Sequence, residues 1–227
     1  MTALVIGSTT PDFEYFIRMR NHSVYSHTWS GMFWYDLPLA FILTFIYHNL
    51  VRDGLIDNLP AFIRNKVYKF KELDWNNYVK RHFFVVVTSL LVGIASHIAW
   101  DGFTHRNGYF VEMIPWLRQL VMVMGVGHYR YYILQGISSV VGGLIVAYSI
   151  LSIKAEAETP KRNIVPYWVV ASAVALLITA ARIPFGNIDL KPAVPIDLIV
   201  TAMSAGMIGM VIAPFVLKIK LIRPAQP

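Results

Sequence analysis

Phe83-Phe84-Val85-Val86-Val87-Thr88-Ser89-Leu90-Leu91-Val92-Gly93-Ile94-Ala95-Ser96-His97-Ile98-Ala99-Trp100 is an apolar run without a single Asp, Glu, Lys or Arg. It is long enough to cross most of a bilayer as a helix. The run leads straight into Asp101-Gly102-Phe103-Thr104-His105, so His97, Asp101 and His105 follow one another at steps of four. If the helix continues, each step turns about 400°, and the three side chains drift only about 40° per step along one face. Two imidazoles and a carboxylate on one face are a ligand set for a divalent cation. The plainer reading is a helix end whose Asp and His hydrogen-bond neighbouring loops. An Asp and a His beside an apolar span are costly without partners, which favours the metal.

Composition places the rest of the chain in the same class. The 227 residues are 56% hydrophobic, too apolar for an ordinary soluble domain and long enough for several spans, which predicts an integral membrane protein. There is no cysteine, so disulfides, thiolate ligands and a cysteine nucleophile are excluded, and a metal would be held by imidazole and carboxylate. Zn²⁺ or Mn²⁺ suits such ligands. The net charge of +7 does not call for nucleic acid, because the basic residues fall between and after the apolar runs, as topology requires.

In chain order, Met1 to Ser8 has no basic n-region and is too short to span; it reads as the end of a helix. Thr10-Pro11-Asp12-Phe13-Glu14 reads as a proline-initiated segment with acids in its first turn. His22 and His27 lie in a polar stretch before the first span, about Met32 to Val51, which carries Asp36 at its entry and a snorkelling His48 near its far end. A basic loop follows, with Arg52, Arg64, Lys66, Lys69, Lys71, Lys80 and Arg81. Leu59, Phe62, Ile63, Val67 and Phe70 recur in it at near-helical spacing, as in an amphipathic cytoplasmic helix. The second span is Phe83 to Trp100. Residues 106 to 132 read as an interfacial lid or re-entrant stretch, and span three, about Ile133 to Ile153, carries a packing face of Gly136, Ser138, Ser139, Gly142 and Gly143. Spans four and five run from about Val165 to Ala181 and Pro195 to Leu217, joined by an external turn that includes Gly186 and Asn187.

The expectation is therefore an all-α polytopic helix bundle. It has about five spanning helices, a short N-terminal helical segment and one amphipathic cytoplasmic helix, in a single membrane domain over 1–227. Lys and Arg number seven in the first basic loop, three in the second (Lys154, Lys161, Arg162) and three in the tail (Lys218, Lys220, Arg223), leaving seven of 20 for the other face. That bias puts the N-terminal segment outside and the C-terminus in the cytoplasm. On this topology Asp12, His22, His27, Asp36 and the His97 to His105 motif meet at one membrane face.

Pro11-Asp12-Phe13-Glu14, then His22-Ser23-Val24-Tyr25-Ser26-His27-Thr28, then Ser96-His97 with Asp101 and Thr104, resembles the bacterial membrane-bound metal-dependent hydrolases, the LexA-binding inner-membrane group. That group shows Pro-Asp-Ile-Asp, His-Arg-Gly-x-Thr-His-Ser and Ser-His-x-x-x-Asp-x-x-Thr elements in this order. Here Glu14 replaces the second Asp, and Ser23-Val24 replaces Arg-Gly. Over most of its length the chain is similar to an uncharacterised bacterial family of polytopic membrane proteins, a domain of unknown function, with segments like Pro11-Asp12-Phe13-Glu14-Tyr15-Phe16, Asp36-Leu37-Pro38-Leu39 and Trp100-Asp101-Gly102-Phe103-Thr104-His105. That likeness implies an earlier start, with a Ser-His-Pro element that this chain lacks. The hydrolase resemblance implies a bacterial inner-membrane enzyme.

The expected activity is metal-dependent hydrolysis of a phosphoester, lipid-linked in one version, at the external membrane face. Asp12, His22, His27, His97, Asp101 and His105 supply the metal ligands. Asp36 or Glu14 acts as general base or as a carboxylate orienting an imidazole, and Arg106 and Arg130 contact phosphate. The alternative is a non-enzymatic membrane protein in which the same cluster holds a structural ion or a polar network. A transporter is a third option, disfavoured by the scarcity of charge within the spans and the lack of an inverted repeat.

Overall fold

The computed structural model describes residues 1–155, 159–185 and 196–217. The expected tail cations Lys218, Lys220 and Arg223, the turn at Gly186 and Asn187, and the Pro195 start of span five lie outside them. Among the described residues, five helical stretches are long and apolar enough to cross a membrane: Met32–Asp57, Phe83–Met113 (of which the helix that could span ends at Thr104), Arg130–Ser152, Val165–Pro184 and Ile196–Val216. Each coincides with an expected span.

The first helix, α1 (Thr2–Arg18), is a single helix running through Pro11, where two separate pieces were expected. Three hydroxyls around the proline hydrogen-bond back into the preceding turn: Ser8 and Thr9 to the Val5 carbonyl, and Thr10 to that of Ile6. These bonds pair the hydroxyls within the turn before Pro11, whose missing N–H leaves the Gly7 carbonyl without its helical donor. Met19 closes the helix in the left-handed region, with its N–H and that of Arg20 returning to Phe16 and Tyr15.

The first span is α2 (Leu37–Ile46), which runs into α3 (Arg52–Asp57) and is bounded by two π-helical turns, Met32–Asp36 and Tyr47–Val51. Each turn carries a buried titratable side chain, Asp36 in the first and His48 in the second. His48 was expected to snorkel. Instead it stacks on Trp75 at 4.3 Å between ring centres and meets Arg52 through Nδ1.

The expected single amphipathic helix is replaced by short pieces, α4 (Ala61–Val67), a 3-10 turn (Tyr68–Glu72) and α5 (Trp75–Arg81). Pro60 and Leu73 adopt extended backbone and break the run. Arg64 and Lys71 point inward, Arg64 to Thr159 and the Pro160 carbonyl, Lys71 to Asp57, so the basic face is partly a clamp on neighbouring loops.

Helix α6 (Phe83–Thr104) forms the core with α1, the first span and α5 through Ala3, Met32, Ala40, Trp75, Val79, Val86, Leu90, Ile94 and Ile98. Helices α1 and α6 run in the same direction with backbones in contact. A Cβ on Gly7 would strike the Leu90 carbonyl, and one on Gly93 would strike the Leu4 carbonyl and the Ser8 nitrogen. The start of α1 thus lies alongside the first half of α6, and its second half reaches the end of α6 that carries His97 and Asp101.

After α7 (Tyr109–Met113) and a 3-10 turn (Pro115–Arg118), the lid or re-entrant stretch turns out to contain a β-hairpin, β1 (Leu120–Val123) and β2 (Val126–Tyr129). Leu120 pairs with Tyr129 and Val123 with Val126, leaving Met124 and Gly125, both at positive φ, as the turn. Helix α8 (Arg130–Ser152) has no buried residue; of the expected packing face, Gly136, Gly142 and Gly143 face open space among the described residues, while Ser138 meets α6 by accepting from Trp100 Nε1 at 3.3 Å. Helices α9 (Val165–Phe185) and α10 (Ile196–Val216) pack closely where Gly209 meets the Ala171 backbone. Asp197 accepts from the Asn21 N–H and Thr201 donates to the Met19 carbonyl, tying α10 to the end of α1.

Candidate metal centre

The close contact of Gly7 with Leu90 and of Gly93 with Leu4 sets the register for everything above it. One turn beyond Gly93, His97 donates from Nδ1 to the Ser8 carbonyl at 2.7 Å. That bond places a proton on Nδ1 and turns Nε2 toward Asp12 on α1 and Asp101 on α6. His97 Nε2 is buried and has no hydrogen-bond partner among the described residues.

The third contributor is His27, in the loop after α1, and Glu14 delivers it. The Glu14 carboxylate is buried and accepts from three consecutive backbone N–H groups, Val24 at 2.9 Å, Tyr25 at 3.0 Å and Ser26 at 2.8 Å, and from Arg18 Nε at 2.8 Å. Burial pushes this carboxyl up, but the backbone N–H groups of Ser26, Tyr25 and Val24 outweigh it and hold the pKa at about 2. Anchored there, the loop reaches His27 in the left-handed region at φ 61. Such backbone is uncommon outside glycine and persists only where its surroundings fix it. Ser26 Oγ meets His27 Nδ1 at 2.9 Å, so this ring also aims Nε2 at the acids.

Four distances describe the cluster. His27 Nε2 lies 3.4 Å from Asp12 Oδ1 and 3.3 Å from Asp101 Oδ2; His97 Nε2 lies 3.6 Å and 3.3 Å from the same two atoms. These are longer than charge-assisted hydrogen bonds, which run about 2.7–2.9 Å. They match the edge of a tetrahedron of ligands about 2.0–2.1 Å from a central ion, which is about 3.3 Å. Asp12, His27 and His97 can each offer one ligand atom with all three within 4.8 Å of one another. Burial raises the Asp12 carboxyl, but the His27 and His97 imidazoles beside it prevail and hold it well below the usual carboxylate range. Buried ring nitrogen, ring orientations set through Nδ1, carboxylate oxygens at ligand spacing and the absence of thiols together make a donor set that could hold a divalent cation.

The other expected site residues are distributed around this centre. Helix α6 stops at Thr104, and His105 has extended backbone, so it leaves the helical face; its Nδ1 lies 3.4 Å from Asp101 Oδ1, the oxygen turned away from the cluster. His22 is exposed and stands apart from the group formed by Asp12, His27 and His97. Asp36 is fully buried, and neither carboxylate oxygen has a hydrogen-bond partner among the described residues; its charge acts on His27 and His97. Arg106 is exposed just past the end of α6. Arg130 bonds Gln119 at 2.6 Å and covers the Trp116 ring, away from the acids. The Ser8 carbonyl and Ser26, which orient the two imidazoles, carry no sequence signal beyond Ser26 preceding a histidine.

A family profile described as "Domain of unknown function (DUF4184)" matches residues 1–215. No curated protein and no solved structure matches the chain.

Proposed function

Since the chain belongs to the DUF4184 family, we propose its function from its own site: a membrane-embedded, divalent-metal-dependent hydrolase of phosphoesters, Zn²⁺ or Mn²⁺ being the ion. The observation that carries this reading is the spacing of Asp12, His27, His97 and Asp101 at 3.3–3.6 Å around two imidazoles of fixed orientation. A cation bound there lowers the pKa of a water and polarises an ester oxygen. The chain's own groups do the rest. Ser8 and Ser26 hold the rings, His105 steadies Asp101, and Asp36, buried and unpaired, accepts the proton of the attacking water. The water oxygen bonds to phosphorus, the bond from phosphorus to the alcohol oxygen breaks, and the proton passes from Asp36 to that oxygen. Arg106, exposed beside the motif, is placed to meet the phosphate. Glu14 positions His27 and takes no part in proton transfer, because its oxygens already accept four hydrogen bonds.

In this reading the five apolar helices cross a bacterial inner membrane. The loops bearing Arg64 and Lys161 face the cytoplasm, as does the C-terminus, and the metal centre lies at the external face. The test is elemental mass spectrometry on detergent-purified protein, wild type beside His97→Ala and Asp12→Asn. About one equivalent of Zn or Mn in the wild type, lost in both variants while they stay folded, is expected; equal metal in all three overturns the site. Hydrolysis of bis(p-nitrophenyl) phosphate by wild type, falling about 10²-fold or more in Asp36→Asn with metal retained, tests the chemistry.

A further inference from the structure

Between α1, α9 and α10 lies an open groove of about 570 Å³, within the roughly 300–1,000 Å³ usual for small-ligand sites. Its wall is almost wholly apolar. Helix α1 contributes Phe13 and Phe16, α9 the small residues Ala171 and Ala175, and α10 the methionines Met207 and Met210. Among the described residues lining it, Asp12 is the one that carries charge. That residue is also one of the three that can share a cation with His27 and His97. The groove and the candidate metal centre therefore have a wall residue in common, with apolar surface on one side of it and imidazoles on the other.

We propose that this groove seats the hydrocarbon chain of a lipid phosphate whose phosphoester head reaches the metal centre, so that the substrate is an amphiphile drawn from the bilayer; this rests on the hydrolase reading above. Three observations favour a hydrocarbon chain over any other occupant. Two of the three walls are helices with the length and hydropathy of membrane spans, and a groove between such helices would open onto lipid tails. A sugar or peptide would leave its polar groups unpaired against Phe, Ala and Met, at a cost of about 1–3 kcal/mol per group, whereas a chain of methylenes leaves none. Methionine side chains are flexible and polarizable, and they adapt to an irregular chain. A Cβ built on Gly206, which also lines the groove, would meet nothing within 4 Å, so the space beside α10 is open at that point.

The test uses the full chain in phosphatidylcholine nanodiscs containing a phosphatidic acid with a diazirine on its acyl chain. Cross-linked residues are mapped by peptide mass spectrometry, and metal is measured on the same samples. Label concentrated on Phe16, Met207 and Met210 over Leu176 and Leu177, which are 70% and 71% exposed on α9, is expected. Gly206→Trp should lower groove labelling about tenfold, the loss of roughly two methylenes' worth of contact, while Leu176→Trp should not. An excess of glycerol phosphate, which has the head without the chain, should leave the labelling in place. Label spread evenly over the groove and Leu176 and Leu177 in the wild type overturns the proposal, since the lipid is then only annular. Groove labelling unchanged in a folded Gly206→Trp also overturns it. Groove labelling in a wild type devoid of metal upholds the chain site and overturns the hydrolase reading.

Discussion

Glu14 lies two residues from Asp12 and faces a different task. Its carboxylate gathers the N–H groups of Val24, Tyr25 and Ser26 and so bends the loop that delivers His27. Replacing it by Gln removes the charge from a buried site built around it, and a loss of about 3 kcal/mol in stability is expected, together with weaker metal retention. The pH dependence has a definite sign. The folded carboxyl sits at about 2 against its ordinary 4.5, so its contribution is complete above the ordinary value and disappears as pH falls toward 2. The gap in thermal midpoint between wild type and Glu14→Gln should therefore close on acidification through that window; a gap independent of pH would contradict the assignment. The sequence makes Glu14 visible as an acid near other acids. It cannot show three amides converging on it, because those belong to backbone twelve residues and fewer downstream. In the same way His22 and His27 look equivalent as a string, and only the left-handed backbone at 27 and the hydroxyl of Ser26 separate them.

Two glycines have opposite surroundings, and helix pairing depends on one of them. Gly93 touches α1 backbone, so Gly93→Ala should push α1 away, cost about 1–3 kcal/mol and abolish metal binding, although residue 93 is no ligand. Gly136 on α8 meets nothing within 4 Å, and Gly136→Ala should be neutral or stabilising by up to about 1 kcal/mol from helix propensity. Thermal unfolding and metal content of the two variants check both directions; equal effects would mean that the glycine at 93 is not a contact. The apolar runs made the five long helices legible, since hydropathy and length decide them. What breaks a run was less so. The π-helical turns around Asp36 and His48 have no pattern of their own, and the hairpin at 120–129 closes through Met124, a residue that does not advertise a left-handed turn.

On the proposed orientation Lys and Arg are gathered toward one side of the membrane, and this can be tested without disturbing the site. The chain has no cysteine, so a single introduced thiol reports one position. In sealed inverted and right-side-out vesicles, a thiol at Asn107→Cys, past the end of α6, should react from outside. One at Glu72→Cys, in the basic stretch, should react only from the cytoplasmic side; the reverse pattern would invert the proposed orientation. Both substituted residues are exposed and neither is among the candidate ligands. The bond from His97 to the Ser8 carbonyl spans 89 positions of chain. During synthesis at roughly 5–20 residues per second, α1 emerges on the order of ten seconds before the helix that completes it. For that interval Gly7 and Asp12 have no partner helix, and an ion would have no cage to enter. On the proposed function, ion uptake would thereby be a late step in the life of the nascent chain, timed by the arrival of α6, and a molecule that had loaded a metal would, by that fact, already have joined its first helix to its middle.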